Sequence, residues 1–313
     1  MIPLSQVAPD LRKATARMTR FPMPFGSNWG RRLLRRLLAL TPQAKPQDVR
    51  IDVPANSPVP LRVYIPQERK SRGALLWIHG GGYLIGTARQ DDPFCIATAR
   101  ELGIAVVGVD YRLAPEHPFP APLDDCHAAW TWMQAEAVVL GIDPALTAIG
   151  GQSAGGGLAA ALVQRVHDEG GPQPVVQWLF CPMLDDRTAA DTTLDRIGHR
   201  MWTNRNNRSG WQCYLGQAPG SPDLPPYAAP ARRADVSGLP PAWIGVGTID
   251  LFHDEDRVYA NRLNAAGVET LFLSVPGAPH GFEAWAPGTS VTDAYLRSAR
   301  DWLRARLGSE AAG

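Results

Sequence analysis

The spacing of apolar and polar residues changes abruptly along the first part of the chain. Between Trp29 and Leu40, leucines and arginines each recur at helical spacing, which predicts a basic amphipathic helix. Residues 49–53 and 61–65 instead alternate apolar with polar side chains. A period of two is typical of strands with one covered face, so these two segments are predicted to pair antiparallel at the edge of a sheet.

The rest of the chain alternates short apolar runs with longer helical patterns. A continuous apolar run of this kind is typical of a strand that is buried on both faces. Strands that alternate with helices predict an α/β fold, with a mostly parallel central sheet flanked by helices. The predicted strands are residues 74–78, 104–109, 146–149, 175–180, 243–247 and 270–275, and the predicted helices are residues 123–139, 158–166, 255–266 and 291–307.

Two segments depart from this alternation. Residues 1–45 are set apart in composition, and from 185 to about 227 the rhythm of strands and helices is lost while prolines and aromatic residues accumulate. We therefore predict an N-terminal segment of residues 1–45 and a main domain of residues 46–313 with an insertion at about 185–227. The leucines of the N-terminal helix could attach it to a membrane surface, but packing on the body of the protein is favoured because the segment is short.

Composition and charge exclude several classes of protein. The chain has 313 residues, 45% of them hydrophobic and 19% charged, which is an ordinary globular balance. Its formal net charge of +1 does not indicate nucleic acid or a strongly charged partner. No secretory signal and no apolar run long enough to span a membrane is evident. The four cysteines are far apart and lack metal-binding spacing, which suits a reducing compartment, so a cytoplasmic protein is predicted.

The candidate nucleophile lies in a G-x-S-x-G stretch at residues 151–155. An apolar run precedes this stretch, and a helical pattern rich in alanine and leucine follows it. Strand, glycine turn and helix together are the context of a nucleophile elbow, so Ser153 is the predicted nucleophile. The alternative, a glycine-rich turn with a bystander serine, would be favoured for the motif alone but not for the motif with these flanks.

Two later strand ends supply the partners that a nucleophilic serine needs. Function gathers at the carboxyl ends of strands in open α/β sheets. Asp250 follows the predicted strand ending at Gly247, and His280 follows the one ending near Val275. The order Ser, Asp, His is that of α/β-hydrolases. His280 is the predicted base for Ser153, and Asp250 is predicted to hold the tautomer of His280.

Other polar groups compete for these roles. Residues 253–256 (His-Asp-Glu-Asp) could suggest a metal cluster, but acids in the first turn of a helix are explained by the helix dipole, so no metal is predicted. His117, His127, His167 and His199 are interpreted as surface or packing residues.

A glycine run at residues 80–82 follows the strand at 74–78 and supplies candidate oxyanion donors. The amides of Gly81 and Gly82, with that of Ala154, are predicted to form the oxyanion hole. His79 is interpreted as an organiser of this loop. No Gly-Lys-Ser/Thr follows the glycines, which disfavours a nucleotide-binding loop.

Five stretches agree in order and spacing with one known family. They are residues 79–83, 110–116, 151–156, 250–255 and 280–282. With these stretches the chain resembles the bacterial hormone-sensitive-lipase-like esterases of the α/β-hydrolase superfamily, over roughly residues 70–305. The resemblance implies the α/β-hydrolase fold, the triad and oxyanion hole named above, and a helical cap formed by the N-terminal segment and the insertion. It also implies hydrolysis of small-molecule esters with short acyl chains, no cofactor, and a homodimer as one expected assembly.

The chain departs from the family pattern at two places. Gln152 stands where the family usually has Asp, and Leu251-Phe252 stands where it usually has Pro-Leu. Neither departure removes a triad residue. Leucine does not restrict φ as proline does, so the loop that carries Asp250 needs another constraint.

Other functions and other uses of the aromatic residues are compatible with the sequence. An amidase or another acyl hydrolase could use the same triad, and a ligand-binding protein could use the same fold; the presence of His280 argues against the latter. Aromatic residues in the two unusual segments either line an acyl pocket or pack the cap onto the body. They are Phe25, Trp29, Trp202 and Trp211.

Overall fold

A single sheet runs through the centre of the structure, a computed structural model that describes residues 1–20, 27–40, 42 and 44–308. Its eight strands are β1 (Val49–Asp52), β2 (Leu61–Pro66), β3 (Ala74–Ile78), β4 (Ala105–Val109), β5 (Thr147–Gln152), β6 (Val176–Phe180), β7 (Ala242–Gly247) and β8 (Thr270–Val275). They lie in the order β1-β2-β4-β3-β5-β6-β7-β8. The pairings of β1 with β2 and of β2 with β4 are antiparallel, and the later pairings are parallel.

The α-helices of the described residues connect these strands and cover both faces of the sheet. They are α1 (Arg12–Met18), α2 (Asn28–Ala39), α3 (Asp92–Leu102), α4 (Ala121–Ala135), α5 (Ala137–Leu140), α6 (Ala154–Glu169), α7 (Asp186–Ala190), α8 (Asn204–Leu215), α9 (His253–Ala265), α10 (Phe282–Trp285) and α11 (Ser290–Leu307). Helices α7 and α8 lie in the predicted insertion between β6 and β7.

Strand β3 shows why the central strands are apolar throughout. Leu76 and Ile78 belong to a core cluster shared with α4, α6 and α9, whereas Leu75 and Trp77 belong to a second cluster shared with α3 and α11. Alternate side chains of a strand point to opposite faces, so both faces of β3 meet helices and both must be apolar. The α/β fold, the edge pair β1–β2 and the mostly parallel sheet are thus confirmed.

Helix α3 is an element that the sequence analysis did not single out. Its buried residues include Cys95, Ile96, Ala99 and Leu102, which do have helical spacing. They are few and are mixed with small polar residues, so the pattern alone is weak. Docking onto the sheet through the second core cluster is what gives this helix its buried face.

The N-terminal helix α2 lies on the body with only some of its leucines inward. Leu34 and Leu38 pack against the first core cluster, whereas Leu33 and Leu37 are exposed. The interpretation that the leucines pack on the body is therefore right for the first pair and wrong for the second. Arg35, on the same helix, turns inward. Its guanidinium group donates hydrogen bonds to the carbonyl oxygens of Leu84 at 2.8 Å and Ala114 at 2.6 Å.

Nothing described in the chain forms a helix of the length and apolarity needed to cross a membrane. The four cysteines are free: three are buried and Cys213 is half-buried.

Candidate active site

Ser153 occupies the sharp turn between β5 and α6. Its backbone has φ 55° and ψ −121°, a positive φ that residues other than glycine rarely adopt. A Cβ on Gly151 would lie 2.3 Å from the carbonyl oxygen of Gly155, and a Cβ on Gly155 would lie 2.1 Å from that of Ile78. Glycine is therefore required at both positions, where α6 begins against the ends of β5 and β3, and the serine is held in a strained conformation.

Three loops bring the predicted triad residues together. His280 Nε2 lies 2.9 Å from Ser153 Oγ, and His280 Nδ1 lies 2.8 Å from Asp250 Oδ2. All three side chains are buried. Both distances are those of hydrogen bonds, so a continuous chain of hydrogen bonds joins the serine hydroxyl to the carboxyl group.

The loop that carries Asp250 is held without the proline found in the resembling family. The second oxygen of the carboxyl group, Oδ1, accepts a hydrogen bond from the backbone N–H of Phe252 at 3.0 Å. Leu251 is buried, and the ring of Phe252 lies edge-on to His280 at 5.2 Å between centroids. Side-chain capping and burial thus supply the constraint that proline would otherwise give.

The surroundings of His280 favour its protonated form. Burial by itself lowers the pKa of an imidazole, but the charge and hydrogen bond of Asp250, together with the charge of Glu283, outweigh burial and raise the pKa of His280 above its ordinary value. A base of raised pKa accepts the hydroxyl proton of Ser153 more readily once that base is neutral.

The glycine loop after β3 lies directly against the elbow. A Cβ on Gly80 would lie 3.4 Å from the Cβ of Ser153, and both Gly81 and Gly82 have positive φ. In the part of the chain that the structure describes, no group accepts a hydrogen bond from the backbone N–H of Gly81, Gly82 or Ala154. These three amides are therefore free to donate to an oxygen beside Ser153.

His79 supports this loop. Its Nδ1 lies 2.8 Å from the carbonyl oxygen of Gly80, and its ring stacks on Tyr111 at 4.3 Å. The hydroxyl of Tyr111 donates to the carbonyl oxygen of His79 at 2.9 Å. His79 therefore contacts the backbone of the glycine loop and packs on Tyr111, as expected of a residue that organises this loop.

A cavity of about 380 Å³ opens over Ser153. Helix α2 supplies part of its wall, and Trp202 covers Gly82. Trp211 instead packs on Tyr83 and Tyr214 and does not line this cavity. Of the two tryptophans of the insertion, Trp202 therefore lines the cavity and Trp211 packs the insertion onto the body. Trp29 is exposed, and Phe25 lies outside the described residues. The lining residues are Leu34, Leu37, Leu38, Gly80, Gly81, Gly82, Ile85, Gln90, Gln152, Ser153, Met201, Trp202, His280, Gly281, Ala284 and Trp285.

A larger cavity of about 890 Å³ lies elsewhere, between the segment at residues 222–233 and helix α9. It is lined by several arginines and acids and by no triad residue. The smaller cavity is the candidate site because Ser153, the predicted nucleophile, and His280, its predicted base, line it.

Glu283 is a residue near the site that the sequence analysis missed. Its Oε1 accepts a hydrogen bond from Gln152 Nε2 at 2.5 Å. Burial raises the pKa of Glu283, and the hydrogen bond from Gln152 opposes that rise. Its position directly after the His280-Gly281-Phe282 stretch was a signal, but its contact with a residue 131 positions away could not be read from the sequence.

One group of potential metal ligands lies at the candidate site. Among the described residues, Cys181, Asp250 and His280 have ligand atoms within 4.8 Å of one another. Two of these residues are already hydrogen-bonded to each other, so a metal there would break the chain to Ser153. The acids after His253 lie in the first turn of α9, as the dipole argument predicts.

The chain is similar to known hydrolases of the α/β-hydrolase fold. A family model described as the alpha/beta hydrolase fold matches residues 75–284, more than half of the chain. The carboxylesterase NlhH of Mycobacterium tuberculosis is 36% identical over 280 residues, which cover 85% of this chain and 86% of that protein. The arylesterase of Saccharolobus solfataricus is 31% identical over 255 residues, covering 80% and 81%.

Solved structures give the same result. A bacterial heroin esterase superposes with a TM-score of 0.88 at 37% identity, covering 98% of this chain and 99% of that one. An esterase of the bacterial hormone-sensitive lipase family superposes with a TM-score of 0.80 at 30% identity, covering 96% and 99%. The chain therefore belongs to the α/β-hydrolase family, among its hormone-sensitive-lipase-like esterases.

Proposed function

We propose that this carboxylesterase hydrolyses esters of short- to medium-chain acids through an acyl-enzyme on Ser153. The observation that carries the proposal is the chain of two hydrogen bonds, 2.9 Å from Ser153 to His280 and 2.8 Å from His280 to Asp250. Ser153 and His280 line a cavity that also contains Gly81 and Gly82, whose N–H groups have no acceptor among the described residues. A nucleophile, its base and a residue that orients the base are the parts that acyl transfer needs.

Each group has a defined step in this reaction. As Ser153 Oγ attacks the ester carbonyl, its proton passes to His280 Nε2, and Asp250 stabilises the resulting imidazolium. The carbonyl oxygen becomes an oxyanion, which the amides of Gly81, Gly82 and Ala154 stabilise by donating hydrogen bonds. His280 then donates this proton to the alkoxy oxygen of the ester as the C–O bond breaks, so that the alcohol leaves and the acyl group stays on Ser153.

Deacylation repeats these steps with water. His280 takes a proton from the water as it attacks the acyl carbon, and returns that proton to Ser153 when the acid leaves. No cofactor is needed, because all four proton transfers of acylation and deacylation use the same imidazole.

Residues 1–45 and the insertion at about 185–227 act in this proposal as a cap over the catalytic domain of residues 46–313. Support comes from α2, which contributes Leu34, Leu37 and Leu38 to the cavity wall, and from Trp202, which covers the glycine loop. Arg35 ties α2 to the loops that it covers. A cap of this kind limits the acyl length that the cavity accepts.

The proposal is tested with p-nitrophenyl esters from acetate to palmitate, on wild type and on Ser153→Ala. We expect turnover to fall beyond medium chains and to be lost in Ser153→Ala, while the far-ultraviolet circular dichroism is unchanged. Ser221→Ala, which alters a serine outside the cavity lining, is the matched control and should keep wild-type rates. Turnover that persists in Ser153→Ala would disprove the acyl-enzyme on Ser153, and no turnover on any ester would disprove the substrate class.

A further inference from the structure

Helix α2 presents large apolar side chains to solvent. Trp29 is 73% exposed and Leu40 is 76% exposed, and Leu33 and Leu37 are exposed as well. Trp29, Leu33 and Leu37 follow one another at intervals of four residues, and Leu40 comes three residues later. Residues at these intervals lie on one side of a helix, so the four side chains form one continuous apolar strip.

Two arginines lie beside the apolar strip. Arg32 and Arg36 are exposed, and each follows a residue of the strip by three positions, which makes them neighbours on the helix surface. Among the described residues neither arginine takes part in an ion pair. Glu116, an acid that this helix contacts, is already paired with Arg35 at 2.9 Å. The apolar strip and these two arginines together are the outer face of α2.

The charge around this helix differs from that of the whole chain. Residues 11–47 contain nine arginines and lysines and no aspartate or glutamate. The whole chain has a formal net charge of only +1, so the remaining residues are net negative and the positive charge is concentrated in this segment. A local block of positive charge attracts an anionic surface even when the total charge is close to zero.

The outer face adjoins the cavity that contains Ser153. Leu37 belongs to the apolar strip and also lines this cavity, together with Leu34 and Leu38, which pack inward. The apolar surface of α2 is therefore continuous from the outer face to the cavity wall. A lipid surface that covers the strip would lie at the edge of the cavity, so an ester dissolved in the lipid would have a short path to Ser153.

We propose that the outer face of α2 docks on an anionic lipid bilayer. The leucines and the indole of Trp29 would enter the interfacial region, and Arg32 and Arg36 would pair with lipid phosphates. The helix would lie on the bilayer without crossing it. The docking does not depend on ester hydrolysis, whereas the delivery of esters to Ser153 rests on the proposed function.

Two other partners fit the outer face less well. A nucleic acid would pair with the arginines but would leave the leucines against its phosphates. A second copy of the chain would cover the leucines but would bring the arginines of two outer faces together, and like charges repel. A bilayer with anionic lipid uses the apolar strip and the arginines at the same time.

Docking is measured by co-sedimentation with vesicles, in the Ser153→Ala background so that no lipid ester is cleaved. The vesicles contain phosphatidylcholine alone or with an equal amount of phosphatidylglycerol. We expect stronger binding to the mixed vesicles, and weaker binding as salt is raised. Arg32→Gln/Arg36→Gln should lower the binding constant about 30-fold. Arg297→Gln/Arg304→Gln, at two exposed arginines of α11, is the matched control and should bind as the parent does.

The apolar strip is tested separately from the charge. Trp29→Ser/Leu33→Ser should lower the binding constant about tenfold, and Val138→Ser/Val139→Ser, at an exposed apolar pair of α5, should not change it. None of these four residues lines the cavity over Ser153. In the wild-type background both pairs of substitutions should therefore keep the kcat/KM for soluble p-nitrophenyl acetate, which also checks that the variants fold.

Delivery of substrate has its own readout in the wild-type background. Mixed vesicles should raise the rate at which p-nitrophenyl decanoate dissolved in them is hydrolysed, relative to phosphatidylcholine vesicles. Arg32→Gln/Arg36→Gln should remove this difference while leaving the hydrolysis of soluble p-nitrophenyl acetate unchanged. A rate that is the same in both kinds of vesicle would overturn the delivery of esters from the bilayer.

Equal binding to both kinds of vesicle, or binding that neither outer-face variant weakens, would overturn the docking. So would binding of duplex DNA in place of vesicles, or a dimer that dissociates in Trp29→Ser/Leu33→Ser and does not bind vesicles. Docking without hydrolysis of any ester would support this inference and reject the proposed function. Hydrolysis of soluble esters without docking would do the reverse.

Discussion

Gln152 and Glu283 are joined by a hydrogen bond of 2.5 Å, which links the residue before the nucleophile to the third residue after the base. The resembling family usually has Asp in place of Gln152. An ionised aspartate can only accept hydrogen bonds, whereas the amide of glutamine can donate to a buried carboxyl group. Gln152, which departs from the family pattern, therefore has a hydrogen-bond partner in the structure, Glu283.

Gln152→Leu should lower the stability of the protein. It removes the side-chain hydrogen bond to the carboxyl group of the buried Glu283, at a cost of about 1–3 kcal/mol in the free energy of unfolding. Urea denaturation measures this change. Gln152→Leu/Glu283→Leu removes both polar groups and should be less destabilised than the sum of the single variants; strict additivity would show that the two side chains do not interact.

Activity should fall on the acid side with a midpoint set by His280. The imidazole accepts the serine proton only when neutral, so kcat/KM is lost as the pH falls through its pKa. Because that pKa is raised, we expect the midpoint above the ordinary value of about 6.5. The pH profile of p-nitrophenyl butyrate hydrolysis measures it.

Removing the charge of Glu283 should move that midpoint to lower pH. Its negative charge contributes to the raised pKa of His280, so Glu283→Gln makes the imidazole easier to deprotonate. Glu269→Gln serves as the control and should leave the profile where it is. An unchanged midpoint in Glu283→Gln would mean that Glu283 carries no charge in this pH range.

Asp250→Asn should lower kcat by roughly 10⁴-fold with little change in the fold. The amide cannot stabilise the imidazolium, and it favours the wrong tautomer of His280. Asp301→Asn, at an exposed acid of α11, provides a comparison in which activity should be retained. Steady-state kinetics decide the point: a loss of less than tenfold, about one pKa unit of stabilisation, would remove Asp250 from the proposed triad.

Gly82→Ala should damage catalysis far more than an equivalent change elsewhere. Gly82 has φ +60°, and a Cβ there would lie 2.2 Å from the ring of Trp202, so the loop or the ring must shift. Displacing one oxyanion donor costs roughly 10²–10³-fold in kcat. Gly141 has a similar φ of +64° with no atom within 4 Å of its added Cβ, so Gly141→Ala carries the same backbone strain and should keep its activity. Equal effects of the two variants would contradict this argument.

A homodimer and a cytoplasmic location also stay predictions, as do the roles of the site residues and the division into cap and catalytic domain. Sedimentation velocity and localisation of a tagged chain would test the first two.

The sequence alone was sufficient for the fold class and for the proximity of the three residues that we propose as the triad. Apolar runs that alternate with helical patterns are a local signal for a covered parallel sheet, and the carboxyl ends of its strands are where function gathers. Ser153, Asp250 and His280 each follow a predicted strand, so their proximity could be inferred without coordinates. The glycines at 151 and 155 likewise indicated a tight turn.

Only the tertiary structure decided which distant side chains meet. The direction of Arg35, the use of Trp202 rather than Trp211 at the cavity, and the pairing of Gln152 with Glu283 depend on contacts between segments far apart in the chain. The helical period shows that one face of α2 is apolar. It does not show that Arg35 lies next to the carbonyl oxygens of Leu84 and Ala114. Burial and the hydrogen bond from Gln152 together determine the pKa of Glu283. The burial and the hydrogen bond both arise only when the sheet, α10 and α11 pack.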